Sequence, residues 1–341
     1  VSKENTPITT SEIASRCGVS RTTVSAVLAG KKSVRESTRK KVLACIREGN
    51  FESGMIARAL VGELSRMVAV LAPSLGSPYQ MMFFRGVCDV LSAEGYHILF
   101  HSVLPEDRED PATLASIHAY RPAGYIILKG AEGPHAEHAR RVAEMGIALV
   151  SEEQFEGIET HSINFNNRVA MKLATDYAIE KGHRLLGHIA GAPYSQGAKE
   201  RKMGFIEGLI EHDIPVSSAV IADAGESAAD GYRVSLEVLK NAKPRPTVLL
   251  CFNDMVAMGV YRAAHELSLD IPNDLSVIGF DGTYITEVFG PPLTSVGVFP
   301  TEMGRQASEI LLRAIRNQTG RKFVTQWIEP QLVERASVRQ L

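Results

Sequence analysis

A chain of 341 residues is too long for one ordinary hydrophobic core, so two or three domains are expected. A hydrophobic share of 45% without any apolar run near the roughly 20 residues that span a bilayer predicts a water-soluble globular protein and excludes helical membrane spans. The net charge of -2 conceals an asymmetry: residues 1–62 hold eleven Lys and Arg against five Glu, a head of +6 on a body of -8. A small basic head on an acidic body points to a polyanion bound by the head alone.

The first stretch, VSKENTPITTSEIA, lacks an apolar signal segment, which predicts a chain that is not exported. In TSEIASRCG, Ile13, Ala14 and Cys17 recur at helical spacing until Gly18 breaks the helix. Ser20 is placed to cap a second helix, and Val19 to staple onto Val24. Val24, Val27 and Leu28 then form one narrow apolar stripe. A third helix over roughly 36–48 buries Val42, Leu43 and Ile46 and turns its lysines outward. Three short helices with a glycine turn between the first two describe a helix-turn-helix. FESGMIARALVGELS joins this head to the body.

The body alternates strands and helices. Apolar runs rich in β-branched residues occur at MVAVLAP, YHILFH, GYIILKG, IALVS, LLGHIAG, AVIADAG, TVLLCFN, LSVIGFD and TSVGVF, and helical patterns ending at glycine separate most of them. Strands buried on both faces and joined by helices predict parallel sheets and an α/β body, and their number predicts two similar lobes.

Motifs for catalysis are missing: there is no GxGxxG, P-loop, GxSxG or HExxH. His135 and His138 could share a helix face but lack a nearby third metal ligand. His183 follows Gly182 at a helix end, where it would serve as a cap. Cys17, Cys45, Cys88 and Cys251 are dispersed and fit free thiols of a reducing compartment. Ligands of open parallel sheets collect beyond the carboxyl ends of the strands. Polar groups follow apolar runs at Ser74 to Gln80, at Asn253–Asp254 and at Asp281, with Arg201 in the tract after LLGHIAG. A guanidinium, an amide and a carboxylate converging there would hold a polyhydroxylated or anionic small molecule. The same Asn and Asp could equally cap the helices that follow.

TTSEIASRCGVSRTTVSAVL, SVRESTRKKVLACIREGNF, MIARAL, VAVLAPSLGSPYQMMFFRGV, RKMGF, CFNDMVAMG, SVIGFDG and PPLTSV together resemble, in order, the motifs of the lactose-repressor (LacI) family of bacterial transcription regulators, over roughly residues 7–337. The resemblance implies a helix-turn-helix head at 1–49 and a hinge helix at 50–63. It also implies a periplasmic-binding-protein-like core of two lobes with parallel sheets, its first lobe at 64–163 and 293–325 and its second at 164–292 and 326–341. A homodimer, in some members a tetramer, then reads a pseudo-palindromic double-stranded DNA operator in the cytoplasm, with no enzyme activity, cofactor, metal or membrane involved.

Arg21, Thr22 and Ala26 match the family's base-facing positions, and Ser20, Thr23 and Ser25 the phosphate or groove-edge positions. Lys31 and Lys32 add positive charge. Leu60 matches the leucine that wedges into the minor groove, with Arg58 as a backbone contact. Ala26 stands where many members have an arginine, and FESG lacks their hinge proline. Tyr79, Gln80, Arg201, Asn253 and Asp281 match the positions that hold the small-molecule effector. Glu226 occupies a position often aromatic, and Asn166 replaces a common aspartate. The resemblance implies a repressor controlled by a sugar or sugar derivative. An activator, a purine- or amine-responsive regulator, and a solute-binding protein without a DNA role are the alternatives.

Overall fold

The computed structural model describes residues 10–28, 34–48, 65–73, 75–103, 111–128, 135–155, 157–317 and 322–341. Ser74, Lys31, Lys32, Arg58, Leu60 and the expected hinge at 50–63 lie outside the described residues.

The head is built from α1 (Thr10–Cys17), α2 (Arg21–Leu28) and α3 (Glu36–Glu48). Gly18, at φ 59°, ends α1: its N–H bonds the Ser15 carbonyl at 3.2 Å and the Val19 N–H bonds that of Ala14 at 3.0 Å. This paired closure needs a left-handed residue, which glycine supplies without a Cβ penalty. Ile13, Ala14, Cys17, Val24, Val27 and Val42 make one small buried core, with Val19 and Leu43 packed against it. The side chains of Leu28 and Ile46, expected in the same core, lie outside the described ones.

The body holds two six-stranded sheets. The first contains β1 (Met67–Ala72), β2 (His97–Ser102), β3 (Gly124–Ile127), β4 (Ala148–Ser151), β5 (His161–Phe165) and β11 (Thr325–Ile328), ordered β11-β5-β4-β3-β1-β2 and parallel throughout. The second contains β6 (Leu186–Ala190), β7 (Val220–Asp223), β8 (Val248–Cys251), β9 (Ser276–Asp281), β10 (Thr294–Gly297) and β12 (Gln331–Val333), ordered β12-β10-β9-β8-β6-β7. Only β12 runs antiparallel to its neighbour in that sheet. Both sheets share one winding, the first strand lying between the second and third, so the two lobes are alike as expected.

Side-chain alternation divides each sheet between two helical layers. In β1, Val68, Val70 and Ala72 face α4 (Pro78–Ala93) and α11 (Pro300–Ile315). Ala69 and Leu71 face α5 (Pro111–His118) and α6 (His135–Glu144). In the second lobe, Val248 and Leu250 face α7 (Asn167–Glu180) and α8 (Gln196–Glu211). Leu249 and Cys251 face α9 (Ala228–Asn241) and α10 (Asp254–Glu266). Among the described residues no helix is long and apolar enough to cross a membrane.

The chain passes between the sheets three times, after β5, after β10 and between β11 and β12. The expected lobe bounds therefore shift. The segment from 293 is expected in the first lobe, yet β10 pairs with β9, Thr294 opposite Ile278 and Gly297 opposite Asp281. Its backbone groups are satisfied in the second sheet, and the passage falls at Phe299, whose φ of 53° turns the chain into α11. Likewise β5 runs to Phe165 and β11 to Ile328 in the first sheet, past the expected ends at 163 and 325.

Candidate functional site

Two surfaces carry the residues singled out from the sequence. On α2, Val24 and Val27 are buried in the head while Arg21, Thr22 and Ser25 are exposed and Thr23 and Ala26 half-buried. The Ser20 hydroxyl accepts a 3.0 Å bond from the Thr23 N–H and lies 2.7 Å and 2.8 Å from the Thr22 and Thr23 hydroxyls. It satisfies one of the orphan donors at the start of α2 and holds the two threonines at the exposed amino end. Arg21, Thr22 and Ser25 thus share one solvent-facing side of a helix pinned from behind.

The second surface lies where the carboxyl ends of both sheets meet. Arg201, from α8, is its hub and is 7% exposed. Its guanidinium carbon sits 3.7 Å from the ring centre of Phe280 and 4.5 Å from that of Phe252. Its Nε donates to Asn167 Oδ1 at 2.8 Å, and its Nη1 to the Phe252 carbonyl. Asn167 is in turn held by donating to Glu200 at 3.1 Å. Only a planar, weakly hydrated cation can lie between aromatic faces and donate in plane, which selects arginine over lysine here.

Asp281, the last residue of β9, approaches Arg201 Nη1 at 3.8 Å. Its backbone adopts φ 102°, a strained setting for a residue with a Cβ and one that recurs at functional sites. Burial first, and then the charges of Asp254, Glu226 and Glu152, push the Asp281 carboxyl well above the ordinary range, with Arg201 pulling it down. Asp254, buried beneath it, accepts from the Thr283 N–H and hydroxyl, each at 2.8 Å, and from the Ser295 hydroxyl at 2.7 Å. Desolvation still raises its pKa to about 6.

From the first lobe, Tyr79 near the start of α4 packs against the second-lobe core and donates its hydroxyl to Glu152. Its pKa is raised well above the usual phenol value, chiefly by burial and by Glu152, so it remains a donor. The structure brings together Tyr79, Arg201 and Asp281, with Glu226 exposed at the margin and near enough to influence both charged groups. The Asn253 side-chain Oδ1 caps α10 by accepting from the Val256 N–H at 2.7 Å, and its side-chain Nδ2 donates to the Glu226 backbone carbonyl at 3.1 Å. Gln80 closes a capping box with Ser77, its side-chain Oε1 accepting from the Ser77 N–H at 3.3 Å. Asn166 likewise caps α7 through the Arg168 and Val169 N–H groups.

Glu152 and Asn167 were missed in the sequence. Glu152 directly follows β4 and obeys the strand-end rule that flagged Asp281. Among the described residues no group of His, Cys, Asp and Glu is placed to hold a metal ion. His183 closes the end of α7 through its backbone, its N–H bonding the Ala178 carbonyl at 3.2 Å. Its ring is buried, with Nδ1 2.8 Å from the Thr247 hydroxyl, and desolvation lowers its pKa to about 4.

Comparison with known proteins finds matches to both the head and the core. Residues 9–53 match the model of bacterial regulatory proteins, lacI family, and residues 175–338 that of the periplasmic binding protein-like domain. The HTH-type transcriptional repressor PurR of Pectobacterium carotovorum subsp. carotovorum (strain PC1) is 31% identical over 332 residues, spanning 97% of this chain and 96% of that protein. The chain belongs to the lacI family of bacterial regulatory proteins. PurR of Proteus mirabilis (strain HI4320) is 30% identical over 334 residues, with the same shares covered. A crystal structure of the lac repressor dimer bound to operator and the anti-inducer ONPF superposes with a TM-score of 0.76 at 25% identity, covering 98% of this chain and 100% of that one. This lacI-family member is accordingly a DNA-binding transcription regulator with a helix-turn-helix head and a binding-protein-like core.

The core of the regulator also contains a pH-sensitive buried base. His188 on β6 is stacked on Phe205, its Nδ1 lies 3.0 Å from the Leu250 carbonyl, and burial holds its pKa down to about 4. A histidine in the unfolded chain takes its proton near pH 6.5. The stability His188 contributes is therefore complete above that value and is lost as the pH falls toward 4. Urea unfolding should show the gap between wild type and His188→Gln narrowing by about 2–3 kcal/mol between pH 7 and pH 4. A gap that does not change would mean that the imidazole is not held neutral.

Proposed function

We propose that this regulator is a repressor whose homodimer reads a pseudo-palindromic operator in the cytoplasm through α2, released or fixed by a sugar or sugar derivative bound between the lobes. It acts by binding, without turning over its ligand. The observation that carries the reading is the exposed row Arg21, Thr22 and Ser25 on a helix buried by Val24 and Val27. That disposition is what a recognition helix needs to enter the major groove amino end first. Arg21 is the side chain able to fork onto a guanine, Thr22 adds a hydroxyl, and Ala26 offers a methyl at most. Ser20, Thr23 and Ser25 suit phosphate oxygens. Lys31, Arg58 and Leu60 keep the roles implied by resemblance, the leucine wedging the operator centre.

The dimer follows the lac repressor, whose structure is a dimer bound to operator. In the core, Arg201 and Asp281, at 3.8 Å, face the side on which Tyr79 enters from the other lobe. A ligand touching both sides favours closure, and closure alters the dimer's grip on DNA by a coupling of roughly 1–3 kcal/mol.

Selection of bound duplexes from a randomised pool by the full chain should enrich an inverted repeat. Arg21→Ala should then lose about 1–3 kcal/mol at one base pair per half-site and relax preference there. A pool without enrichment would refute the operator reading. Equal loss on every sequence would make Arg21 a phosphate contact instead.

A further inference from the structure

The last passage of the chain between the lobes leaves from β11, and a side chain fastens the start of that strand. β11 is an edge of the first sheet and pairs there with β5. Just before it, the Val324 carbonyl accepts from the Ser162 N–H at 2.9 Å, an ordinary ladder bond. The Val324 N–H donates instead to His161 Nδ1, at 3.0 Å. The His161 ring is 5% exposed, and Phe323 stands edge-on to it, 5.4 Å between ring centres.

A backbone N–H can only donate, so Nδ1 presents its lone pair and the hydrogen of the neutral ring belongs on Nε2. An imidazolium carries a hydrogen on both nitrogens and has no acceptor left. Protonation would therefore set two donors against each other and leave the Val324 N–H without its partner, a costly state for a buried group.

The surroundings favour the neutral ring. Arg313, in the last turn of α11, is the charge that acts on it, and with burial it holds the imidazole below its usual range. From β4 the ring's neighbours are Val150, paired with His161 itself, and Ser151, both uncharged. Glu152, next along, is engaged by Tyr79. Glu159 and Lys322, which precede β5 and β11, are exposed to solvent.

We propose that His161 is a proton-operated latch on β11. Neutral, it fastens the strand; protonated, it lets the strand's start go. β11 leads through Glu329 and Pro330 into β12 of the second sheet, so release loosens one of the three joints between the lobes. The core then responds to acidity at a point away from Arg201 and Asp281.

Trp327, the chain's one tryptophan, lies exposed on β11 and reports on it. In the full chain its emission should change in a step with a midpoint below about pH 6.5, the usual value of a free imidazole. Hydrogen exchange of residues 324–328, corrected for its intrinsic pH dependence, should quicken about tenfold or more across that step, while β1 stays protected. His161→Asn places a carbonyl oxygen where Nδ1 stands and takes up no proton, so both changes should vanish. Arg313→Gln, at an exposed position, removes the opposing charge and should move the midpoint upward. A step that persists in His161→Asn, or none in wild type between pH 8 and pH 5, overturns the latch. Loss of β1 protection in the same step would mean general unfolding and overturns it too. Should His161→Asn fail to fold, Arg313→Gln decides, since an unmoved midpoint assigns the step to another group.

Discussion

Arg201→Ala should abolish effector binding and cost the second lobe about 3–5 kcal/mol of stability, because removing one side of a buried charge pair strands the other. Three features of the site are lost together. Phe280 and Phe252 lose the plate between them, Asn167 Oδ1 and the Phe252 backbone carbonyl lose their donor, and Asp281 loses its cation. The pH dependence identifies which loss dominates. In the native chain Arg201 opposes the burial that raises the Asp281 carboxyl. Without it the folded-state value rises further above that of the unfolded chain. A group raised in this way stabilises the fold below its unfolded value and loses that contribution as the pH climbs through the folded value. The deficit of Arg201→Ala against wild type should therefore be largest near pH 8 and shrink on acidification. Arg201→Lys should fall between the two, since it keeps the charge and loses the planar fork. Urea unfolding across pH 5.5–8 checks this, and a deficit independent of pH would assign the loss to packing alone.

The strands that were legible in the sequence are those with continuous apolar runs. Most of them are buried on both faces, and two, β2 and β7, are half-buried sheet edges. All nine apolar runs became β1 to β4 and β6 to β10. The three that were missed, β5, β11 and β12, are the strands at which the chain passes between lobes. Their sequences, HSINF, TQWI and QLV, are short and polar, and β11 and β12 are sheet edges with exposed positions. No local periodicity marks such segments, and the lobe bounds moved for the same reason. At the site, Asp281 and Arg201 were legible from their place after apolar runs. Glu152 obeys the same rule after IALVS. The capping role of Gln80 was written in SPYQ, whose serine and glutamine stand three apart. What could not be read was the assembly around Arg201. Phe165, Asn167, Phe252 and Phe280 come from separate elements and meet only once the two sheets are in place.

Gly304→Ala should be, with Gly86→Ala, among the most damaging methyl additions in the first lobe. A Cβ at Gly304 would stand 2.0 Å from the Phe83 carbonyl oxygen, and one at Gly86 would stand 1.9 Å from that of Thr301. Both obstacles are backbone, which cannot swing aside, so α4 and α11 cross where each presents a glycine to the other. The second lobe uses the same device, Gly231 and Gly259 meeting the backbone of Val256 and of Tyr232 and Ala228. Alanine raises helix propensity by about 1 kcal/mol over glycine, and overpacking typically costs about 1–3 kcal/mol, more where backbone must move. A net loss of about 2–3 kcal/mol is expected, as Phe83, Val87, Met303 and Ala307 are pried apart. The consequence reaches the cleft. Tyr79 begins α4, and its hydroxyl also lies 3.6 Å from the Met303 sulfur on α11. Separating the helices displaces Tyr79 from Glu152, so effector affinity should fall together with the melting temperature. Arg21 belongs to a separate small core, and the head's preference among operator sequences should be unchanged. Thermal unfolding, effector titration and duplex selection on the one variant distinguish these effects. A melting temperature within a degree of wild type would show that α4 and α11 slide past the added methyl.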